Sequence, residues 1–514
     1  MLKEHLTSEK QLAAQVCYEV KDGDKVTPFH FLDKDPEYQS CVALLSLRFD
    51  AVLDTKRMRE ALEQVFQLEQ WQPLGARIRR NKEGKLEHHI PAQYDEERAA
   101  FTWSVEHHNT CISDHVIASK IPASGSRSVP TMYTDIEDWK LFLYPKDRLP
   151  WKLEHFLEKD ISPISIQIHA FDDATLLTLG FHHCVLDAIG GSHLFQTWAA
   201  ILANKRGDIK PFRAECERDV VQDIIDSGRT QPEKYLFHDR RLKGLSLVLF
   251  FLSLIWEWLL YRAQDWRTIC LPASFVSDLK TQAIAEVDGE FLSEGDVLSA
   301  WRNRLIANAL KLKPDKNVLM LQYYTLYGVL DELPAGKAHT GNSIAKMFAM
   351  MTVEEMLNNS LGKVALRVRK GLSQQRTRKQ AEAFLSLQAK HSVMLFGPGS
   401  QIMMGTSNMS RAGLFKVDFS SVVLPTSDID EKDGDSSYSS GSETTNFEGG
   451  NSGKGTPACV HTDFYVGVPF SLRNVGPIIG KDADGNWWLS WVMRSSAWNE
   501  VEKELARTGG VKVL

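Results

Sequence analysis

Residues 173–198, reading DATLLTLGFHHCVLDAIGGSHLFQTW, carry the side chains best suited to chemistry. His183 and Asp187 stand four residues apart, with His182 just before and Gly190-Gly191 just after. An imidazole titrates near neutrality, so a histidine held on a rigid element can take a proton from a hydroxyl or amine. Leu177, Leu179 and Phe181 fall on one face at period two, the pattern of a half-buried strand. His183 continues that face and His182 turns to the other, so His183 is the candidate general base. Cys184 points away from His183 and reads as packing. A metal held by His182, His183, Asp187 and His193 is not expected, because these side chains lie on opposite faces.

The elements around this stretch must hold the histidine still. Residues 164–171 alternate and then turn at Asp172-Asp173, which predicts a hairpin with residues 175–182. Gly190-Gly191 predicts a sharp turn and a close backbone approach. Ser192 is then expected to cap a helix whose Leu194, Phe195, Trp198, Ile201 and Leu202 form one apolar stripe.

The chain has 514 residues, more than one core usually serves, so two lobes are expected. A net charge of -6 offers no basic field for nucleic acid. Seven scattered cysteines without C-x-x-C spacing argue for free thiols in a reducing, cytoplasmic setting and against structural zinc. The polar start, MLKEHLTSEKQLAAQ, does not read as a secretory signal. Residues 426–457 are rich in Ser, Gly, Thr, Asp and Glu and are expected to form a disordered acidic insertion.

Several further stretches have recognisable local patterns. Asp54 or Thr55 predicts a helix start, and residues 76–80 with 86–90 predict a hairpin. Ser293-Glu294-Gly295-Asp296 is an S-x-x-D capping box ahead of Val297, Leu298, Trp301 and Leu305. Residues 245–261 hold twelve consecutive uncharged residues, flanked by Arg240, Arg241, Lys243 and Arg262 and interrupted at Glu257. Three placements compete for them: a buried connection between lobes, a segment on a membrane surface or apolar channel, and a bilayer span. The last would take about 20 apolar residues.

With His182 and Gly190, the motif reads HHxxxDxxG. It resembles the CoA-dependent acyltransferases called BAHD enzymes, and with them chloramphenicol acetyltransferase and peptide-synthetase condensation domains. The order of weaker motifs supports this resemblance. The run LSEGDVLSAWRNRLIA resembles the family's S-x-x-D-v-l-x-A-w helix, and Gly341-Asn342 its G-N element. Leu361-Gly362-Lys363-Val364-Ala365 resembles LG-x-VA. Thr406-Ser407-Asn408 stands where the family carries T-S-W. Asp418-Phe419 stands where it carries D-F-G-W-G, with Ser420-Ser421 replacing the Gly-Trp. This looser pattern is closest to fungal secondary-metabolite O-acyltransferases.

The resemblance implies an α/β fold of two lobes, each a mixed sheet with flanking helices, and a tunnel between them. The expected organisation is an N-terminal lobe over 1–225, a crossover over 226–266, and a C-terminal lobe over 267–514. It implies an acyl-CoA co-substrate, acetyl-CoA above all, with no bound cofactor or metal. The acceptor is expected to be the hydroxyl of a hydrophobic natural product, and the enzyme to act as a monomer; a peripheral membrane contact through residues 245–261 is one of the competing placements of that segment. His183 would be the base and Asp187 an orienting group. Thr406, Ser407 and Asn408 are candidates for the oxyanion or CoA side, and Asp418 and Phe419 for a structural motif. In the family the aspartate pairs with an arginine on a later strand, but residues 319–334 contain none. An amide-forming condensation-like enzyme and a non-catalytic family member are the alternatives.

Overall fold

The computed structural model describes residues 20–145, 152–213, 217–227, 233–391, 393–425, 455–466, 473–507 and 510–514. The polar N-terminal stretch, Cys17, Cys216 and the acidic insertion up to residue 454 lie outside the described residues. The five cysteines within them are free thiols.

The structure is mixed α/β, with one sheet at the heart of each lobe. The five-stranded sheet runs in the order Cys459–Val466, Cys41–Phe49, Thr175–His182, Ile164–Ala170, Thr102–His107. The expected hairpin is present, with Ile164 opposite Phe181 and Ala170 opposite Thr175. The Thr55–Phe66 helix packs with the Ala188–Leu202 helix over this lobe. Asp54 caps the first of these by accepting from Lys56 N and Arg57 N.

The eight-stranded sheet begins with Ile344–Thr352, Asn317–Thr325, Ile402–Asn408, Val475–Lys481 and Trp487–Arg494. It continues through Gln264–Leu271, Thr131–Tyr133 and Lys512–Val513. Its flanking helices include Glu294–Ala309, with both halves of the Ser293/Asp296 capping box formed, and Leu361–Gln375. A three-stranded sheet of Lys25–Pro28, Leu86–Ile90 and Arg77–Arg80 stands beside the first lobe.

Two strands cross the division expected near residues 225–267. Thr131–Tyr133 joins the eight-stranded sheet beside Gln264–Leu271. Cys459–Val466 joins the five-stranded sheet beside Cys41–Phe49. Each lobe thus borrows a strand from the other half of the chain, which ties the two together through backbone hydrogen bonds.

The expected helix start at Ser192 is corrected. The helix begins at Ala188, with Asp187 as its cap, and Gly190, Gly191 and Ser192 lie inside its first turns. Asp187 accepts from Gly190 N at 2.8 Å, while the Ser192 hydroxyl donates to the Ala412 carbonyl. The glycines serve close approach: a Cβ on Gly190 would lie 2.7 Å from Leu186 Cδ1 and 3.2 Å from the His339 carbonyl.

Residues 245–261 form most of a helix, Gly244–Leu260, in which only Phe250 is buried. It is therefore not a core connection. No helix among the described residues is long and apolar enough to cross a membrane.

Candidate active site

His183 sits one residue beyond the Thr175–His182 strand. Its N–H donates to Cys41 O at 2.9 Å, the last bond of that ladder, before the chain turns. A strand end locked on both sides is a rigid mount, and the ring is half-buried. It stacks on Tyr38 with centroids 4.7 Å apart and planes 11° from parallel, and lies 6.2 Å from the Phe464 ring. His182 turns the other way as expected. It is fully buried, with Nδ1 2.8 Å from Cys184 Sγ and its ring edge-on to Phe156. Burial, with the charge of His183, pushes its pKa down to about 3, so it stays neutral and structural.

The second lobe supplies the partner of His183. Residues 338–343 lead into the Ile344–Thr352 strand and dock on the turn, where Gly341 N donates to Val185 O at 2.8 Å. Gly341 is required here. Its φ is +74°, and a Cβ would lie 2.9 Å from an oxygen of Asp33. The next residue, Asn342, places Oδ1 3.1 Å from His183 Nδ1. Its Nδ2 donates to His183 O at 2.8 Å and to Asp33 Oδ1 at 2.9 Å. Both of those partners are acceptors only, so the amide nitrogen must face them and Oδ1 must face the ring. Nδ1 of His183 is then the protonated nitrogen, and Nε2 carries the lone pair.

Asp33 completes this anchor, accepting from Asn342 N at 2.7 Å. Burial raises its pKa to about 6, against the opposing pull of His30 and its bonds from Asn342. His183 itself is held below the usual imidazole value. Burial is the cause, partly offset by its own backbone hydrogen bond, by the charges of Asp187 and Glu37, and by Asn342. A depressed imidazole pKa keeps the ring a free base at neutral pH, as a proton acceptor requires.

Asp187 is buried and faces inward. The arginine expected from the resemblance is replaced by His339, whose Nε2 donates to Asp187 Oδ1 and Oδ2 at 3.1 and 3.3 Å. Ser343 adds its N–H and hydroxyl at 3.1 and 3.2 Å. Burial works against the carboxylate charge, but His339, Gly190 N and Ser343 N outweigh it and hold its pKa well below the usual range. His339 in turn stacks on Tyr327 at 4.5 Å. Asp187 therefore joins three things: the cap of the Ala188–Leu202 helix, the histidine turn, and the loop carrying Asn342.

The lobes also meet at Glu37, next to Tyr38. Its carboxylate accepts from Tyr323 OH at 2.6 Å and from Lys346 Nζ at 2.5 Å. A small cleft of about 50 Å³ opens beside Asn342, Ser343 and His339, with His30, Leu32 and Phe212 on its other walls.

The other sequence candidates are not hydrogen-bonded to His183 among the described residues. The Thr406 hydroxyl accepts from Arg302 Nη1 at 2.5 Å. Asn408 Oδ1 accepts from Ser410 N and Oγ at 3.1 and 2.7 Å, and its amide nitrogen abuts Gly295. Ser407, between them, is half-buried. Asp418 closes a turn by accepting from Ser420 N at 2.9 Å. Phe419 is fully buried against Phe49 and Trp198, so that motif packs the first lobe. As possible metal donors, Glu106, His108 and His169 lie within 4.8 Å of one another at the far edge of the five-stranded sheet.

Sequence reading missed Asp33, His339 and Arg302. Arg302 is fully buried and also donates to Gly405 O and Asn474 O at 2.7 and 3.0 Å, pinning the Thr406 strand to its neighbour. Its place inside the capped 292–307 motif was the available signal. Asp33 and His339 lie in irregular segments without periodicity, and nothing in the sequence marked them.

Comparison with known proteins accords with this geometry. The model of the Transferase family matches residues 149–422, which takes in the histidine turn, Asn342 and the Thr406 strand. Acetyltransferase adrJ of Penicillium roqueforti is 33% identical over 506 residues, covering 95% of this chain and 96% of the relative. Transcriptional regulator calD of Penicillium decumbens is 29% identical over 496 residues, covering 94% and 95%. Among solved structures, F. graminearum TRI101 complexed with coenzyme A and T-2 mycotoxin superposes with a TM-score of 0.63 at 16% identity, covering 94% and 98%. The two-lobed acyltransferase fold, a family model over more than half of the chain and full-length relatives together show that this chain belongs to the Transferase family and is an acyltransferase.

Proposed function

We propose that the chain moves an acyl group, acetyl above all, from acyl-CoA to a hydroxyl of a hydrophobic natural product in secondary metabolism. His183 Nε2 takes the hydroxyl proton as the oxygen attacks the thioester carbonyl, a contribution of about 10² to 10⁴ in rate. The tetrahedral oxyanion then collapses, the C–S bond breaks, and the leaving thiolate takes the proton back from the imidazolium. Neither a metal nor an acyl-enzyme is needed, because the thioester is already activated. Asp187 orients the turn. Thr406, Ser407 and Asn408 remain the candidates for the oxyanion or CoA side, where a preorganised donor is worth most. The enzyme acts as a cytoplasmic monomer that meets membrane through residues 245–261.

The observation that carries this reading is the Asn342 amide, which leaves the lone pair of His183 on Nε2. Relatives named as acetyltransferases support the acyl donor. Coenzyme A and a mycotoxin share the TRI101 structure, which supports the substrate pair by analogy. The resemblance of this chain to calD favours a second reading, a non-catalytic regulator. Mass spectrometry of reactions with a panel of acyl-CoAs and hydrophobic alcohols separates the two. The enzyme reading expects an ester mass and free CoA, both dependent on His183. No transfer to any alcohol, with His183 variants indistinguishable from wild type in a regulatory assay, supports the second.

A further inference from the structure

The Gly244–Leu260 helix carries an apolar face that the rest of the chain leaves open. Leu245, Val248, Leu249, Leu252, Trp256 and Leu260 are each at least half exposed. At about 100° per residue they share an arc of roughly 120°. On the opposite side Phe250 is buried at 1%. Scattered apolar residues are ordinary on a protein surface, but a contiguous apolar helix face marks a contact.

The helix is clamped to the body rather than detached. Before it, Leu242 N donates to Leu395 O at 2.8 Å and Arg240 O accepts from Gly397 N at 2.7 Å. After it, Arg473 donates to the carbonyls of Glu257, at 3.2 Å, and Tyr261. The open face is therefore a fixed feature of the surface. The only charge within the helix, Glu257, is half-buried and lies 3.9 Å from Arg473.

Charge outside the helix points to the occupant. Arg240, Arg241 and Lys243 precede it, and Arg262 follows it with its guanidinium 5.6 Å from the Trp258 ring. Lys390 adds to the cationic end. His391 is held below its usual pKa by desolvation and by the positive charges of Arg241, His238 and Lys390. An apolar helix face with tryptophans and basic ends complements an anionic lipid surface, where headgroups meet the cations and acyl chains meet the leucines. The helix is about 25 Å long, short of a roughly 30 Å hydrocarbon core, and so suits lying in the plane.

We propose that the Gly244–Leu260 helix docks this protein on an anionic leaflet. Its Leu245, Leu252 and Trp256 face enters the acyl boundary, and Lys243 and Arg262 sit at the headgroups. The proposal deepens the membrane contact named above and rests on that reading, but not on the acyl transfer.

The test is flotation of the purified full chain with vesicles of phosphatidylcholine alone or with added phosphatidylserine. Wild type is expected to float with the anionic vesicles and several-fold less with the neutral ones. Leu245→Ser/Leu252→Ser/Trp256→Ser is expected to reduce flotation at least about tenfold while melting and turning over a soluble acceptor like wild type. Lys243→Glu/Arg262→Glu, both at exposed positions, is expected to abolish the preference for anionic vesicles. Wild type that floats with neither vesicle overturns the proposal. So does a concentration-dependent dimer that the triple variant dissociates, since a second copy would then be the occupant. Equal flotation on both vesicles overturns the anionic assignment. Loss of flotation with transfer intact, or the reverse, separates this proposal from the enzymatic one.

Discussion

The Nδ1 atom of His183 lies 3.1 Å from Oδ1 of Asn342, and this contact decides which ring nitrogen can accept a proton. The two residues come from different lobes. The histidine follows a strand of the five-stranded sheet, and the asparagine precedes a strand of the eight-stranded one. The packing of the two lobes against each other therefore also fixes the tautomer of the base.

Asn342→Ala is expected to lower kcat by about 10- to 100-fold with little change in KM, because the ring loses its orienting bond and both tautomers become available. Asn342→Asp should act differently. A carboxylate beside the ring stabilises the imidazolium, so the acid limb of the pH–rate profile moves up. Stopped-time assays across pH separate the two variants, and identical profiles would argue against the contact.

Asp187→Ala is expected to destabilise the fold, because Gly190 N, Ser343 N and the His339 ring lose their buried acceptor, at about 1–3 kcal/mol for each donor left unpaired. Asp187→Asn should cost less, because asparagine still caps Gly190 N. The carboxyl pKa is depressed in the folded state. Its stabilisation is therefore fully present above the ordinary carboxylate range and is lost only as pH falls through the lower folded value. Urea denaturation at neutral pH checks the order wild type, Asn, Ala. A pH-rate profile that loses a limb in Asp187→Asn while stability is unchanged would give Asp187 a direct role instead.

Arg302→Met is expected to destabilise the second lobe, since Gly405 O and Asn474 O lose a buried donor. Each stranded acceptor costs about 1–3 kcal/mol. Because the same arginine holds Thr406, turnover should fall as well. Denaturation midpoints and kcat measured together check this, and a variant as stable as wild type would contradict it.

Gly455→Ala is expected to lower the melting temperature by several degrees. A Cβ there would lie 2.2 Å from Ser420 N, and Gly455 O accepts from Phe419 N at 2.8 Å. Removing residues 428–450 should leave melting and turnover unchanged, because that stretch has little apolar surface to bury. Differential scanning calorimetry compares the two.

Local patterns were legible in the sequence wherever one element determines them. The Ser293/Asp296 box, the hairpin ending at His182 and the Asp54 cap each depend on residues a few positions apart. The choice between His183 and His182 followed from strand alternation alone. The helix after the turn was read one step late, because Ser192 looked like a cap while Asp187 was reserved for a distant partner. In the structure Asp187 does both jobs, accepting from Gly190 N and from His339. His339 and Asp33 were beyond reach, since each meets its partner across 152 and 309 positions. The exchange of Thr131–Tyr133 and Cys459–Val466 between lobes has the same cause: short strands carry too little periodicity to reveal a non-local partner.

The central claim is that His183, and not His182, is the proton acceptor. Kinetics of His183→Ala and His182→Ala, with unfolding followed in parallel and acyl-CoA saturating, test it most directly. The account predicts that His183→Ala melts like wild type and loses about 10² to 10⁴ in kcat/KM. His182→Ala, cut from a buried site, should lose stability first and retain most of its turnover while folded. In wild type the acid limb should lie below the usual imidazole value of 6.5, because burial depresses the His183 pKa. Equal loss of turnover in the two folded variants, or a folded His183→Ala that keeps wild-type kcat/KM, would contradict the assignment.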